Sequence, residues 1–226
     1  MADCSPVASQ LDELVHVLLS GESVAAGGSA VERTVESLSA MVNEAYAEAD
    51  AFFLTGPRTS VNELLARMAT SGCETHVWRE GGGGDASIVA CGWIGPQGPP
   101  EDDGTAWRSV GLLAVAVKWQ GQGLASRVMD TLEAAASETG SGIEICVVSV
   151  KPWLVAWYAS RGFVATGEVR EWPDGPEHDG RDGTADGCMR LRSEAQVEVE
   201  MRRGKWAWEW AGSWHRCGFV VMRRES

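Results

Sequence analysis

The stretch of this 226-residue chain with the clearest chemical content is Gln120-Gly121-Gln122-Gly123-Leu124-Ala125-Ser126, set between an apolar run and a helical one. Gly121 and Gly123 carry no Cβ to hold an anion away from the backbone, and small Ala125 permits close approach in the first turn of the helix. A helix that starts there presents unpaired N–H groups and the positive end of its dipole, so the segment suits a diphosphate. The Gln120 amide adds a neutral hydrogen-bond donor.

Other readings of the chemistry-bearing residues meet obstacles. Gly121-Gln122-Gly123-Leu124-Ala125-Ser126 is a near miss to the dinucleotide fingerprint, but it stands halfway along the chain. The acid that follows, Glu138, falls in a helix tail and not at a strand end where a ribose would be read. Gly81 to Gly84 lack both a following helix and the Lys-Ser/Thr of a phosphate loop. The aspartates of 173–187 do not alternate as in a calcium-binding loop, and His178, Cys188, His215 and Cys217 lack the paired spacing of a zinc site, so no metal is expected.

The elements that must position the glycine turn follow from periodicity. Leu14 to Ser20 reads as a strand, and Val31, Val35, Leu38, Val42 and Ala45 recur at helical spacing to about Ala47, after a capping box at Ser29 and Glu32. A second box, Ser60 with Glu63, opens a shorter helix carrying Leu64, Leu65 and Met68. Glu74 to Arg79 and Ser87 to Gly95 read as a hairpin, and Arg108 to Val117 as a central strand, continuous in its apolar character. Gly123 to Thr139 is a helix stopped by Gly140, Ile143 to Val150 a buried strand, Trp153 to Arg161 a short helix after Pro152, and Phe163 to Arg170 a strand. Residues 173–187 read as a mobile surface loop and 196–214 as an inserted hairpin, in which Trp206, Trp208, Trp210 and Trp214 would wall a cleft, cover a homodimer contact or pack on their own sheet. A strand from Gly218 to Arg223 follows.

Composition narrows the partners. A formal charge of -13, with no Lys/Arg run longer than two, disfavours nucleic acid and anionic membrane and makes basic acceptors more natural. No stretch approaches the roughly 18 apolar residues of a membrane span, and the first ten residues lack a secretory layout. The six scattered cysteines form no framework spacing. A soluble, cytoplasmic, single-domain protein over residues 1–226 is the expectation.

Two motifs together carry a family resemblance. Gln120, Gly123 and Ala125 are similar to the Q/R-x-x-G-x-G/A signature of the GCN5-related N-acetyltransferase (GNAT) superfamily, and Tyr158-Ala159-Ser160-Arg161-Gly162-Phe163 looks like its partner motif. Val42 to Tyr46, Gly56 to Thr59 and Val148 to Lys151 resemble one branch of that family. The sequence departs from the family where Val117 replaces a common Pro, Ala125 a common Gly and Lys151 a common Asn.

The resemblance implies a mixed α/β fold, a mostly antiparallel twisted sheet splayed between its fourth and fifth strands with helices on both faces. It implies acetyl-CoA as cosubstrate, with Leu113, Ala114 and Val115 pairing to pantetheine and Gln120, Gly121, Gln122, Gly123, Leu124, Ala125 and Ser126 gripping the diphosphate. Tyr158 matches the general acid, acting after direct attack by an amine of a small molecule or peptide. The central strand holds no carboxylate, so Glu144, Glu44 or a water is the candidate base. The alternative is a catalytically silent CoA-binding sensor or interaction module of the same fold.

Overall fold

A computed structural model describes residues 11–25, 28–51, 54–81, 86–102, 104–171, 190–191 and 218–225. The strands are β1 (Leu14–Ser20), β2 (Leu54–Thr55), β3 (Glu74–Glu80), β4 (Ser87–Pro96), β5 (Trp107–Val115), β6 (Gly142–Val148), β7 (Val164–Glu171), β8 (Arg190–Leu191) and β9 (Gly218–Arg224). The helices are α1 (Gly21–Ala25), α2 (Ser29–Asp50), α3 (Val61–Ala69), α4 (Leu124–Glu138) and α5 (Pro152–Ser160). Seven strands form one sheet in the order β1-β3-β4-β5-β6-β9-β7, and β2 pairs with β8 apart from it. Every pairing in the large sheet is antiparallel except that of β5 with β6, where α4 supplies the crossover that a parallel pair requires.

Because side chains alternate across a strand, the sheet feeds two separate cores. On one face Val89, Val110, Ile143 and Ile145 pack under Val128, Met129 and Leu132 of α4. On the other, Leu19, Val77, Ile88 and Ala114 pack under Val35, Leu38 and Val42 of α2 and Leu64 and Met68 of α3. Leu132 is wholly enclosed, and trimming it to Ala costs about 2–5 kcal/mol. α4 approaches β4 so closely that a Cβ on Gly92 would stand 2.7 Å from both Leu132 Cδ1 and Val128 Cγ1. That crowding excludes any larger residue at Gly92.

The boundaries depart from the apolar spacing in physically readable ways. α2 continues past Ala47 to Asp50, because exposed Ala47, Glu48 and Ala49 favour helix without contributing to an apolar stripe. Its N-cap is Gly28 with no side-chain bond, so the expected box at Ser29 and Glu32 does not form. At α3 the cap does form, Ser60 Oγ accepting from Glu63 N at 3.2 Å, while the Glu63 carboxylate takes Thr59 and Arg67. β5 stops at Val115, and Val117–Trp119 is a 3₁₀ turn in place of the expected strand end. Trp119 is buried in the α4-side core, and folding its ring inward turns the chain.

No helix among the described residues is long and apolar enough to cross a membrane. The 173–187 loop, the 196–214 hairpin with its four tryptophans, and His178, Cys188, His215 and Cys217 lie outside the described residues.

Candidate active site

The glycine turn joins the 3₁₀ turn to α4 as the pattern requires. Gly121 and Gly123 have φ of 74° and 86°, in the left-handed region that glycine adopts without strain. A Cβ on either would meet no atom within 4 Å, so backbone conformation and the approach of a ligand, not packing, demand glycine there. Gly123 is the N-cap of α4 and offers its carbonyl to Ser126 N at 3.0 Å and Arg127 N at 3.3 Å. The amides of Leu124 and Ala125 precede any acceptor within the helix and face outward with the dipole's positive end. The turn is therefore a shallow cradle of backbone donors. The Gln120 side chain is engaged elsewhere: its Nε2 donates to Val115 O at 3.0 Å and ties the turn to the end of β5. Gln122 Nε2 likewise donates to Lys118 O at 2.8 Å.

Next to this cradle the sheet opens. β5 and β6 pair only from Trp107↔Gly142 to Val110↔Ile145, yet β5 runs on to Val115 and β6 to Val148. Leu112 stands where the strands part. Among the described residues it is the one non-glycine with positive φ, at 50°, and the β4–β5 register slips opposite it, between Cys91 and Trp93. Such a bulge bends its strand and sharpens the twist, swinging Leu113, Ala114 and Val115 away from β6. The left-handed leucine costs on the order of 1–3 kcal/mol, held in place by β4 and by Cys91 Sγ donating to Leu112 O at 3.1 Å.

Both tyrosines of the chain converge on this opening. Tyr46, on α2, donates from its Oη to Leu113 O at 2.6 Å. Burial pushes its phenol up to about 12, against the opposing pull of the Arg58 guanidinium. Tyr158, on α5, packs edge-on against Trp157 and Phe163, with ring centroids 4.8 Å and 5.7 Å away. Burial raises its phenol still further, and the neighbouring Tyr46 phenol adds to the rise.

The two candidate carboxylates sit in opposite surroundings. Glu144 is 1% exposed, and both of its oxygens are held: Oε1 by Arg170 Nη1 at 2.7 Å, Oε2 by Arg223 Nε at 2.9 Å. Glu44 is exposed on α2 and borders a cavity of about 880 Å³ between α2, the joined ends of β3 and β4, and Ala116. A smaller cavity of about 230 Å³ lies at the C-terminal end of α2, lined by Asn43, Tyr46, Asp50 and Arg58. Its wall is fixed by Asn43, whose amide donates to Thr59 O and whose oxygen accepts from Thr59 N, both at 3.0 Å.

Tyr46, Asp50, Arg58 and Lys151 were not assigned any role from the sequence. Asp50 is buried and accepts from Lys151 Nζ on one oxygen and from Arg58 Nη1 on the other, at 3.4 Å. Arg58 lies over the Tyr46 ring at 4.7 Å and Lys151 Nζ at 6.0 Å. The one available signal was the departure at Lys151, a cation at the entry of a short helix.

Comparison with known proteins agrees with this fold. Residues 101–173 match the family model described as an acetyltransferase (GNAT) domain. No curated protein sequence matches the chain. Among solved structures, a GCN5-related N-acetyltransferase from Kribbella flavida is similar at 16% identity and a TM-score of 0.53, covering 96% of this chain and 99% of that one. An acyl-CoA N-acyltransferase from Pseudomonas aeruginosa has 14% identity and a TM-score of 0.52 over 93% of this chain and 99% of its own. An aminoglycoside acetyltransferase from an uncultured soil metagenomic sample, solved with sisomicin, has 15% identity and a TM-score of 0.51 over 71% of this chain and 95% of its own.

Proposed function

We propose that this chain, which carries a GNAT-family acetyltransferase domain matched over residues 101–173 on a GNAT fold, is an acetyl-CoA-dependent N-acetyltransferase acting on an amine of a small molecule or peptide. The observation that carries the reading is the parting of β5 from β6 after Val110 and Ile145, directly beside the donor-rich turn at 121–125. An acyl-CoA laid there has its diphosphate on the amides of Gly121 to Ala125 and its pantetheine along Leu113 to Val115. Ser126 and Gln122 flank that path, and Gln120 braces it from behind.

The donor supplies an activated thioester. In direct transfer the C–N bond forms as the C–S bond breaks, so this chain has to align the reactants and manage protons. Alignment alone removes roughly 7–11 kcal/mol of barrier. Tyr158 stays protonated at any physiological pH because its phenol is raised, so in this reading it serves the sulfur as a donor. The same rise makes it a reluctant acid, so hydrogen bonding to the thiolate as charge develops is the role its surroundings support. Of the two carboxylates, Glu44 is open to solvent and suited to take the acceptor's proton, directly or through water. Glu144, clamped by two arginines, serves the sheet in this reading. The charge of -13 draws cationic acceptors toward the surface.

The test is thiol release from acetyl-CoA in the presence of polyamines, aminoglycosides, amino acids and peptides. Turnover with at least one class is expected. Tight acetyl-CoA binding without turnover on any of them would point instead to a silent sensor of the same fold.

A further inference from the structure

We propose that the buried Asp50–Lys151 ion pair is a clasp that holds the end of α2 against the start of α5 across the opened strands, and so positions Tyr46 and Tyr158 over the gap. Asp50 and Lys151 are then positioning residues for the transfer reaction, an inference that rests on the acetyltransferase reading above.

The geometry assigns this role in three steps. Asp50 is the last residue of α2 and Lys151 the residue before α5, 101 positions later, and both are buried, at 7% and 4% exposure. Lys151 also caps α5 with its backbone, its carbonyl accepting from Leu154 N at 2.9 Å and Val155 N at 3.4 Å. The residue whose ammonium meets Asp50 is thus also the residue that starts the helix carrying Tyr158.

Each charge, next, stands at the unfavourable end of its own helix. A carboxylate closes α2 where the dipole is negative, and a cation opens α5 where it is positive. Brought together, each occupies the favourable end of the other helix. The pair rewards one mutual placement of α2 and α5 and penalises separation, because a lone member would be left charged and buried.

The pair also builds outward toward the gap. Arg58 shares Asp50, and Arg58 and Lys151 both lie over the Tyr46 ring, whose hydroxyl is fixed on Leu113 O. One network thus runs from Lys151 through Asp50 and Arg58 to the bulged strand, with Tyr158 on the helix at its other end. A buried pair of this kind is weak as a source of stability, since an apolar replacement of similar volume is often tolerated, but it can specify a unique arrangement.

The chain has two tyrosines, so 3-fluorotyrosine labelling gives two ¹⁹F resonances, assigned by Tyr158→Phe. Three proteins are compared: the full chain as it is, Lys151→Met, and the double variant Asp50→Asn with Lys151→Met, which avoids leaving a lone buried charge and keeps the test open if the single variant fails to fold. The expected result in the folded double variant is a shifted or broadened Tyr158 resonance. It is accompanied by a kcat about tenfold or more below that of the unaltered chain, while acetyl-CoA affinity stays within about twofold. Unmoved resonances in a cooperatively melting double variant would overturn the clasp, as would a loss of kcat matched by an equal loss of acetyl-CoA affinity. If the unaltered chain neither binds nor consumes acetyl-CoA, the acetyltransferase reading falls, and the fluorine spectra still decide the clasp.

Discussion

The cradle at Gly121 to Ala125 and the cluster around Asp50 flank the same opening but are built on opposite principles. The cradle consists of backbone amides at the positive end of one helix dipole and is complete within five consecutive residues. The cluster consists of charged and aromatic side chains around the buried Asp50 and Lys151, and draws on α2, the segment before α3, and the start of α5. Local backbone geometry can be specified by residue types at fixed offsets. A cluster assembled by topology leaves no offset to read. On the proposed reading the shared cosubstrate falls to the first kind of site, and the geometry particular to this chain to the second.

The sharpest way to break the cradle is Gly123→Glu. It sets a carboxylate and its bulk against the phosphates, so acetyl-CoA affinity should fall about 100-fold, while the side chain forced into φ of 86° costs the fold about 1–2 kcal/mol. Calorimetric titration of the variant checks this, and unchanged affinity would remove the turn from the site. A buried ion pair outside both regions gives a reference for the cluster: Glu144→Gln should lower stability by about 3 kcal/mol, because Arg170 and Arg223 lose a fully buried partner. Denaturant unfolding measures it, and a selective loss of kcat at full stability would instead make Glu144 the base. For Tyr158→Phe the expectation is a kcat about 100-fold lower at constant acetyl-CoA affinity, read from steady-state kinetics.

Tyr46→Phe sharpens the comparison more gently. It deletes one hydrogen bond to Leu113 O, worth about 1 kcal/mol in thermal unfolding. A last and smallest effect concerns pH. Both phenols are raised in the folded protein, so their protonated forms favour folding below the ordinary tyrosine value near 10, and that contribution is lost as pH rises through the folded value of about 12 for Tyr46. Absorbance at the phenolate band should stay flat until well above pH 10; an ordinary titration there would show that neither phenol is enclosed.

Much of the fold was legible because periodicity and stop signals are local. β1 occupies the same Leu14–Ser20 found from its apolar run, and α4 ends where Gly140 follows. The end of α2 was missed because Ala47 to Ala49 carry helix propensity without an apolar face, and the end of β5 because the pull of Trp119 into the core is a tertiary effect. Leu112 gives no hint of its left-handed φ, since nothing in a leucine asks for it; β4 and Cys91 impose it. Tyr46 fell within a segment of family resemblance yet had no visible target until α2 crossed β5. Lys151 stood out only as a departure, and its partner Asp50 lies 101 residues away, beyond any spacing rule.

The proposed acetyl-CoA site stands on backbone amides at 121–125 binding the diphosphate beside the parted strands. Isothermal calorimetry of the folded chain with acetyl-CoA tests it directly. Saturable one-site binding, weakened about 100-fold in Gly123→Glu and kept in Tyr158→Phe, is the result expected. Absence of binding by the folded, unaltered chain would contradict the account.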